Sequence, residues 1–104
     1  MNQQVLKNSF ISNSSIIVRK ERVISEGYCY TYFMIKHSLP VTGAITAPTY
    51  SLRVEMTDNL GNTTFAELPN VFSGREKADL FFDKLLRNLA TPLNLPYAFE
   101  DEMN

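Results

Sequence analysis

The sequence predicts an α+β fold in two layers: an antiparallel sheet of about four strands, with one long C-terminal helix packed on one face. Three observations predict it. Residues 15–68 alternate apolar and polar side chains at the strand period, broken by turn residues. One stretch near the end, 73–92, repeats apolar residues at helical spacing. No helical pattern separates the strands, and parallel strands need such crossovers, so the pairing is antiparallel.

The first strand, Ser15 to Val23, begins with the β-branched run Ile16, Ile17 and Val18. It continues into Arg19-Lys20-Glu21-Arg22, the densest positive cluster in the chain. Alternate side chains on a strand face opposite ways, so Arg19 is separated in direction from Lys20 and Arg22. Charge at a strand end protects an edge; a phosphate-contacting patch is the functional alternative. Glu26-Gly27 turns the chain into the longest strand, Tyr28 to His37. Cys29, Thr31, Phe33 and Ile35 share one face of it and are assigned to the core under the helix. Tyr28, Tyr30, Tyr32 and Met34 share the other, which is expected to stand uncovered. Such a tyrosine face admits ordinary cross-strand packing, self-association, or stacking on bases.

Ser38 to Pro48 has two prolines, one glycine and no charge. A connection this long reads as a contact loop, with Val41, Thr42 and Ile45 as its candidate contacts. Tyr50 to Thr57 alternates cleanly: Tyr50, Leu52, Val54 and Met56 point one way, and Ser51, Arg53, Glu55 and Thr57 the other. Asp58 to Asn62 is turn chemistry, with Gly61 suited to positive φ. Thr63 to Leu68 returns as the fourth strand, which Pro69-Asn70 is expected to break. Ser73 and Glu76 then form a capping box, with Phe72 as the hydrophobic staple. Ala78, Phe81, Phe82, Leu85, Leu86 and Leu89 make one apolar stripe, and Pro92 is expected to end the helix. About seventeen residues give a rod of ~25 Å. Leu93, Leu95, Tyr97 and Phe99 are expected to fold back on the seam of sheet and helix.

A chain of 104 residues reads as a single domain, 1–104, with 1–13 polar enough to fray and 100–104 an acidic tail. Its hydrophobic content of 44% is that of a globular protein. Ten basic residues against eleven acidic ones leave a net charge of −1, without the basic excess expected of nucleic-acid or anionic-membrane binders. There is no signal-peptide pattern and no apolar run of membrane-spanning length, so the expected location is the cytoplasm. The single cysteine, Cys29, precludes an internal disulfide, and the single histidine, His37, precludes a histidine-rich metal site. The two lie eight residues apart on one strand, ~26 Å at ~3.3 Å per residue, too far for a nucleophile and its base. The four glycines are scattered singly, so no phosphate loop is present. The reading is therefore not an enzyme, with no catalytic, cofactor or metal residue to name.

The C-terminal half carries a resemblance. Tyr50, Leu52 and Val54, then Val71 and Ser73, then Asn88, Thr91, Pro92 and Leu93, and finally Glu100-Asp101 follow the pattern of a small bacterial domain family of unknown function, numbered six-five-one-four. The likeness covers about Tyr28 to Asp101. The Ser38–Pro48 loop and Pro96 depart from the pattern, and Pro96 argues against a C-terminal helix. The resemblance implies a bacterial cytoplasmic protein and no particular chemistry.

The functional reading is a non-enzymatic interaction or regulatory module. It binds a protein partner, or a second copy as a homodimer, through Tyr28, Tyr30, Tyr32 and Met34 or through a sheet edge. One alternative is a single-strand nucleic-acid binder stacking bases on the tyrosines, with Arg19, Lys20 and Arg22 on phosphates. Another is a small-ligand pocket beneath the uncharged loop. No cofactor is expected.

Overall fold

A computed structural model describes residues 14–38 and 48–103. Four strands form one sheet: β1 (Ser14–Ser25), β2 (Tyr28–Ser38), β3 (Thr49–Thr57) and β4 (Thr63–Phe72). Their spatial order is β1-β2-β3-β4 and every pairing is antiparallel, a meander with β1 and β4 at the edges. Two helices follow, α1 (Arg75–Arg87) and α2 (Leu95–Met103). Val41, Thr42 and Ile45 of the expected contact loop lie outside the described residues.

The turn between β1 and β2 has only Glu26 and Gly27 in it, at φ 52° and 86°. Two consecutive left-handed residues form the tight hairpin whose twist matches its strands, and glycine is the residue suited to the second position. This turn sets Ser25 opposite Tyr28 and so fixes the register of the first hairpin. The β3–β4 turn is organised by Asp58, whose carboxylate accepts from the backbone N–H groups of Leu60 and Asn62 at 2.9 Å each. Those bonds, led by the one from Asn62, hold its carboxyl below the usual range.

Pro69-Asn70 does not break β4. The strand runs on to Phe72 across a register shift opposite the Tyr50–Leu52 segment, with Asn70 at φ 52°. β4 is an edge strand, where proline forfeits no ladder hydrogen bond. The irregularity absorbs two extra residues of β4 and lets Phe72 reach the core.

The core lies between one sheet face and both helices. Tyr30, Tyr32 and Met34 of β2, and Tyr50, Leu52 and Val54 of β3, meet Ala78, Phe81, Phe82 and Leu85 of α1 and Leu95 of α2. The apolar stripe of α1 is thus buried as its spacing requires. Phe72, Phe81 and Phe99 form an aromatic cluster with centroids 5.6–5.9 Å apart, so Phe72 packs on the second turn of α1 and on α2 and is not the staple expected at the helix start.

In place of one long helix, the chain forms two short ones. No capping box forms at Ser73: the N-cap is Gly74, without a side-chain hydrogen bond. At the other end Leu89 adopts φ 49°. Its N–H donates to Leu86 at 3.1 Å, and the N–H of Ala90 donates to Leu85 at 3.0 Å. This is a Schellman closure, which ends α1 before Pro92 is reached. Thr91 then begins the second helix instead of only stopping the first. The Thr91 N–H donates to Asn94 Oδ1 at 2.8 Å, and the Asn94 N–H donates to Thr91 Oγ1 at 3.2 Å. Pro96 sits in the first turn of α2, where its missing N–H would have had no helical partner. Glu100, Asp101 and Glu102 are therefore helical, not a loose tail, and Glu102 pairs with Lys84 at 3.0 Å. Leu95 and Phe99 fold back on the core as expected; Leu93 and Tyr97 remain exposed.

Candidate functional site

The faces of β2 are the reverse of the sequence assignment. Tyr30, Tyr32 and Met34 are buried, with Tyr32 at 0% exposure, and only Tyr28 at the strand's start reaches solvent. The cause is register: Tyr30 pairs with Met56, Tyr32 with Val54 and Met34 with Leu52, so the apolar face of β3 takes them inward. A buried tyrosine needs a partner for its hydroxyl. Tyr32 has one, donating to the Ala90 carbonyl oxygen at 2.8 Å. Burial, with a smaller contribution from Tyr30, pushes its pKa up to about 12. The expected tyrosine surface therefore does not exist beyond Tyr28.

The exposed face is built from the other parity. The register places Lys20, Phe33, Arg53 and Glu67 in one row across all four strands, and Arg22, Thr31, Glu55 and Phe65 in the next. Ile17 and Ile35 continue it on one side, Ile24 and Cys29 on the other. Among the described residues neither helix packs on this face. Its large apolar groups are correspondingly open: Ile17 is 56% exposed, Ile24 74% and Phe65 59%. A shallow depression of about 270 Å³ lies over Lys20, Arg22, Thr31, Phe33 and Glu55.

The charges on this face are segregated. Arg53 pairs with Glu55 at 2.8 Å and with Glu67 at 3.4 Å, and its guanidinium lies 3.9 Å from the centroid of Phe65. One cation against two carboxylates leaves the β3–β4 side with one net negative charge. On the β1 side, Lys20 lies over Phe33 at 5.6 Å, and Arg22 Nε donates to Cys29 Sγ at 3.2 Å. Neither cation forms an ion pair among the described residues.

Arg19 is not part of this patch. A bulge between Ile17 and Arg19 places it on the helix side. There it reaches Asp79 at 3.2 Å and Asp83 at 3.0 Å, and stacks on Phe82 at 4.2 Å. Of the three expected phosphate contacts, only Lys20 and Arg22 share a surface.

His37 is held in a chain of hydrogen bonds across the sheet. The Asn70 N–H donates to Ser51 Oγ at 2.8 Å, Ser51 lies 2.7 Å from His37 Nε2, and His37 Nδ1 lies 2.8 Å from Ser15 Oγ. Ser51 is fully buried and already accepts from Asn70, so its own proton is best spent on His37 Nε2. That assigns the imidazole proton to Nδ1, donating to Ser15. The serine–histidine pair thus ties strands together; a buried hydroxyl is out of reach of a substrate. Among the described residues no group of three His, Cys, Asp or Glu side chains is placed to hold a metal. No helix among them is long and apolar enough to cross a membrane.

The family model described as a family of unknown function, DUF6514, matches residues 13–104. The chain belongs to this family. The match extends on the N-terminal side of the resemblance drawn from the sequence and takes in the whole of β1. No curated protein and no solved structure matches the chain. Tyr50, Leu52 and Val54, which carry part of the family resemblance, are core residues. Thr91 caps the start of α2, as described above, so these positions serve the fold.

Sequence reasoning missed Phe33, Arg53, Glu55, Phe65 and Glu67 as a surface. The signal available was the alternation in β3, which marks Arg53 and Glu55 as outward and, with the register, carries Phe33 and Thr31 outward as well.

Proposed function

We propose that the domain is a non-enzymatic protein-interaction module of the bacterial cytoplasm, working through the exposed sheet face and not through the tyrosines. The observation that carries this is the exposure of Ile17, Ile24 and Phe65 on a face where neither helix packs. Exposed apolar side chains interleaved with charged ones, with Lys20 and Arg22 between Ile17 and Ile24 on β1 and Phe65 across the sheet on β4, suit a protein interface. The partner it fits is a folded protein surface that offers apolar side chains beside acidic groups placed to meet Lys20 and Arg22.

The single histidine and the buried serine beside it are occupied with each other, which supports a binding role over a hydrolytic one. Base stacking has lost the platform it required, since Tyr30 and Tyr32 are buried.

The test is affinity capture with the full chain in nuclease-treated extract of the native host, run beside Phe65→Asp. Phe65 is exposed, so this change leaves the core intact, which a melting curve checks. A protein retained by the native chain and lost with Phe65→Asp supports the module. Equal retention by both chains removes this face from the function, and retention of nucleic acid in an untreated extract replaces the reading with a nucleic-acid binder.

A further inference from the structure

Resting on that reading, we infer that the occupant of the exposed face is a second copy of the chain, packed face to face about a two-fold axis parallel to the strands. Such an axis lays β1 of one copy over β4 of the other and β2 over β3. The row Lys20, Phe33, Arg53, Glu67 then meets itself reversed. Lys20 faces Glu67 of the second copy, and Phe33 faces Arg53 of the second copy. Each contact occurs twice by symmetry, the self-complementarity that a two-fold interface requires. The neighbouring row matches as well: Arg22 falls on Phe65 of the second copy, and Thr31 opposite Glu55. The pairing of Lys20 with Glu67 uses the cation left without a carboxylate in one copy.

The size of the face is adequate. The nine paired positions of β2 and β3 span about 30 Å at ~3.4 Å per residue, and four strands span about 19 Å at ~4.8 Å spacing. Two such faces bury on the order of 1,200 Å², at the lower end of stable interfaces. Sheets packed this way keep their strands within about 30° of each other, so β2 and β3, the strands nearest the axis, stay in contact despite the twist.

The experiment is sedimentation equilibrium of the full chain as Lys20→Glu, as Glu67→Lys, and with both changes in one chain. Within one copy Lys20 and Glu67 sit on opposite edge strands, ~14 Å apart, and do not touch. Each single change sets like charges against each other twice per dimer, and the dissociation constant is expected to rise about tenfold or more. The double change restores opposite charges only between copies, so it is expected to recover native affinity and weaken in salt as the native dimer does. A native dimer indifferent to the single changes, or a double change no better than the singles, overturns the arrangement. A native chain that is monomeric at every loading concentration overturns the second copy as occupant while leaving the module standing. In that case the Phe65→Asp capture decides the module independently, since a different protein lost with that variant keeps it and equal retention removes it.

Discussion

Tyr32→Phe tests the interior placement of β2 on which the exposed face depends. The substitution keeps the ring and removes one hydroxyl, and that hydroxyl donates to the Ala90 carbonyl at 2.8 Å. Both groups are buried, so the carbonyl is left without a partner or water, at a cost of about 1–3 kcal/mol. For a domain of this size each kcal/mol lowers Tm by about 4–8 °C. The pH dependence gives a second readout. Burial favours the neutral phenol and raises the folded pKa from the ordinary 10 to about 12. A raised folded value means that Tyr32 contributes fully below about pH 10, and that the contribution drains away as pH rises toward 12. A shift of this size corresponds to roughly 2–3 kcal/mol over that window. Urea unfolding of native and Tyr32→Phe chains at intervals from pH 9 to 12 measures the difference directly, because lysine deprotonation affects both alike. The native chain is expected to lose stability faster, the two curves converging near pH 12. If Tyr32 faced solvent, the substitution would fall within about 0.5 kcal/mol and the curves would run parallel. That result would refute the burial of this face and the exposed surface argued from it.

Substitutions at three further positions test the contacts. Ser51→Ala removes the partner of both the Asn70 N–H and His37 Nε2, and is expected to cost about 1–3 kcal/mol in urea unfolding, with faster amide exchange at Asn70. Arg19→Ala gives up two carboxylates at 3.0–3.2 Å and the face of Phe82; at this half-exposed site the expected loss is about 1 kcal/mol. Arg19→Lys should recover only part of it, since an ammonium cannot serve both acids and stack. Asn70→Gly is expected to be nearly neutral by thermal melting, whereas Asn70→Val at φ 52° should cost about 1–2 kcal/mol.

The α+β class, the four strands along the chain and the buried stripe of α1 were legible because each rests on local periodicity; the order of the strands in the sheet rests on pairing and was not. The ends of α1 were not. Ser73 and Glu76 satisfy the capping pattern, yet the chain enters the helix at Gly74, and Leu89 takes a left-handed cap that leucine rarely occupies. Ala90 explains that cap: its N–H closes on Leu85 while its carbonyl receives Tyr32, so tertiary bonding holds the turn. Pro96 misled for a related reason. A proline argues against a helix interior but favours its first turn, and which applies depends on where α2 starts, which Thr91 and Asn94 decide.

The faces of β2 were the costly omission, and the reason is arithmetic. Both sets of alternate side chains, Tyr30-Tyr32-Met34 and Thr31-Phe33-Ile35, are apolar enough to be buried, so composition could not choose between them. The choice falls to pairing with β3, whose own faces are unambiguous. In an antiparallel pair, moving the register by one residue exchanges every side chain between core and solvent. The connection between β2 and β3 is too long to fix that register, unlike the two-residue turn between β1 and β2. What decides is the energy of the whole layer. The observed register buries the tyrosine set against Leu52 and Val54 and gives the Tyr32 hydroxyl a carbonyl. It also leaves Phe33 outward beside Lys20, whose ammonium lies over its ring. A slip by one would keep Phe33 and Ile35 inside, but would leave the Ala90 carbonyl unpaired in the core. The exposed face follows from satisfying the buried one.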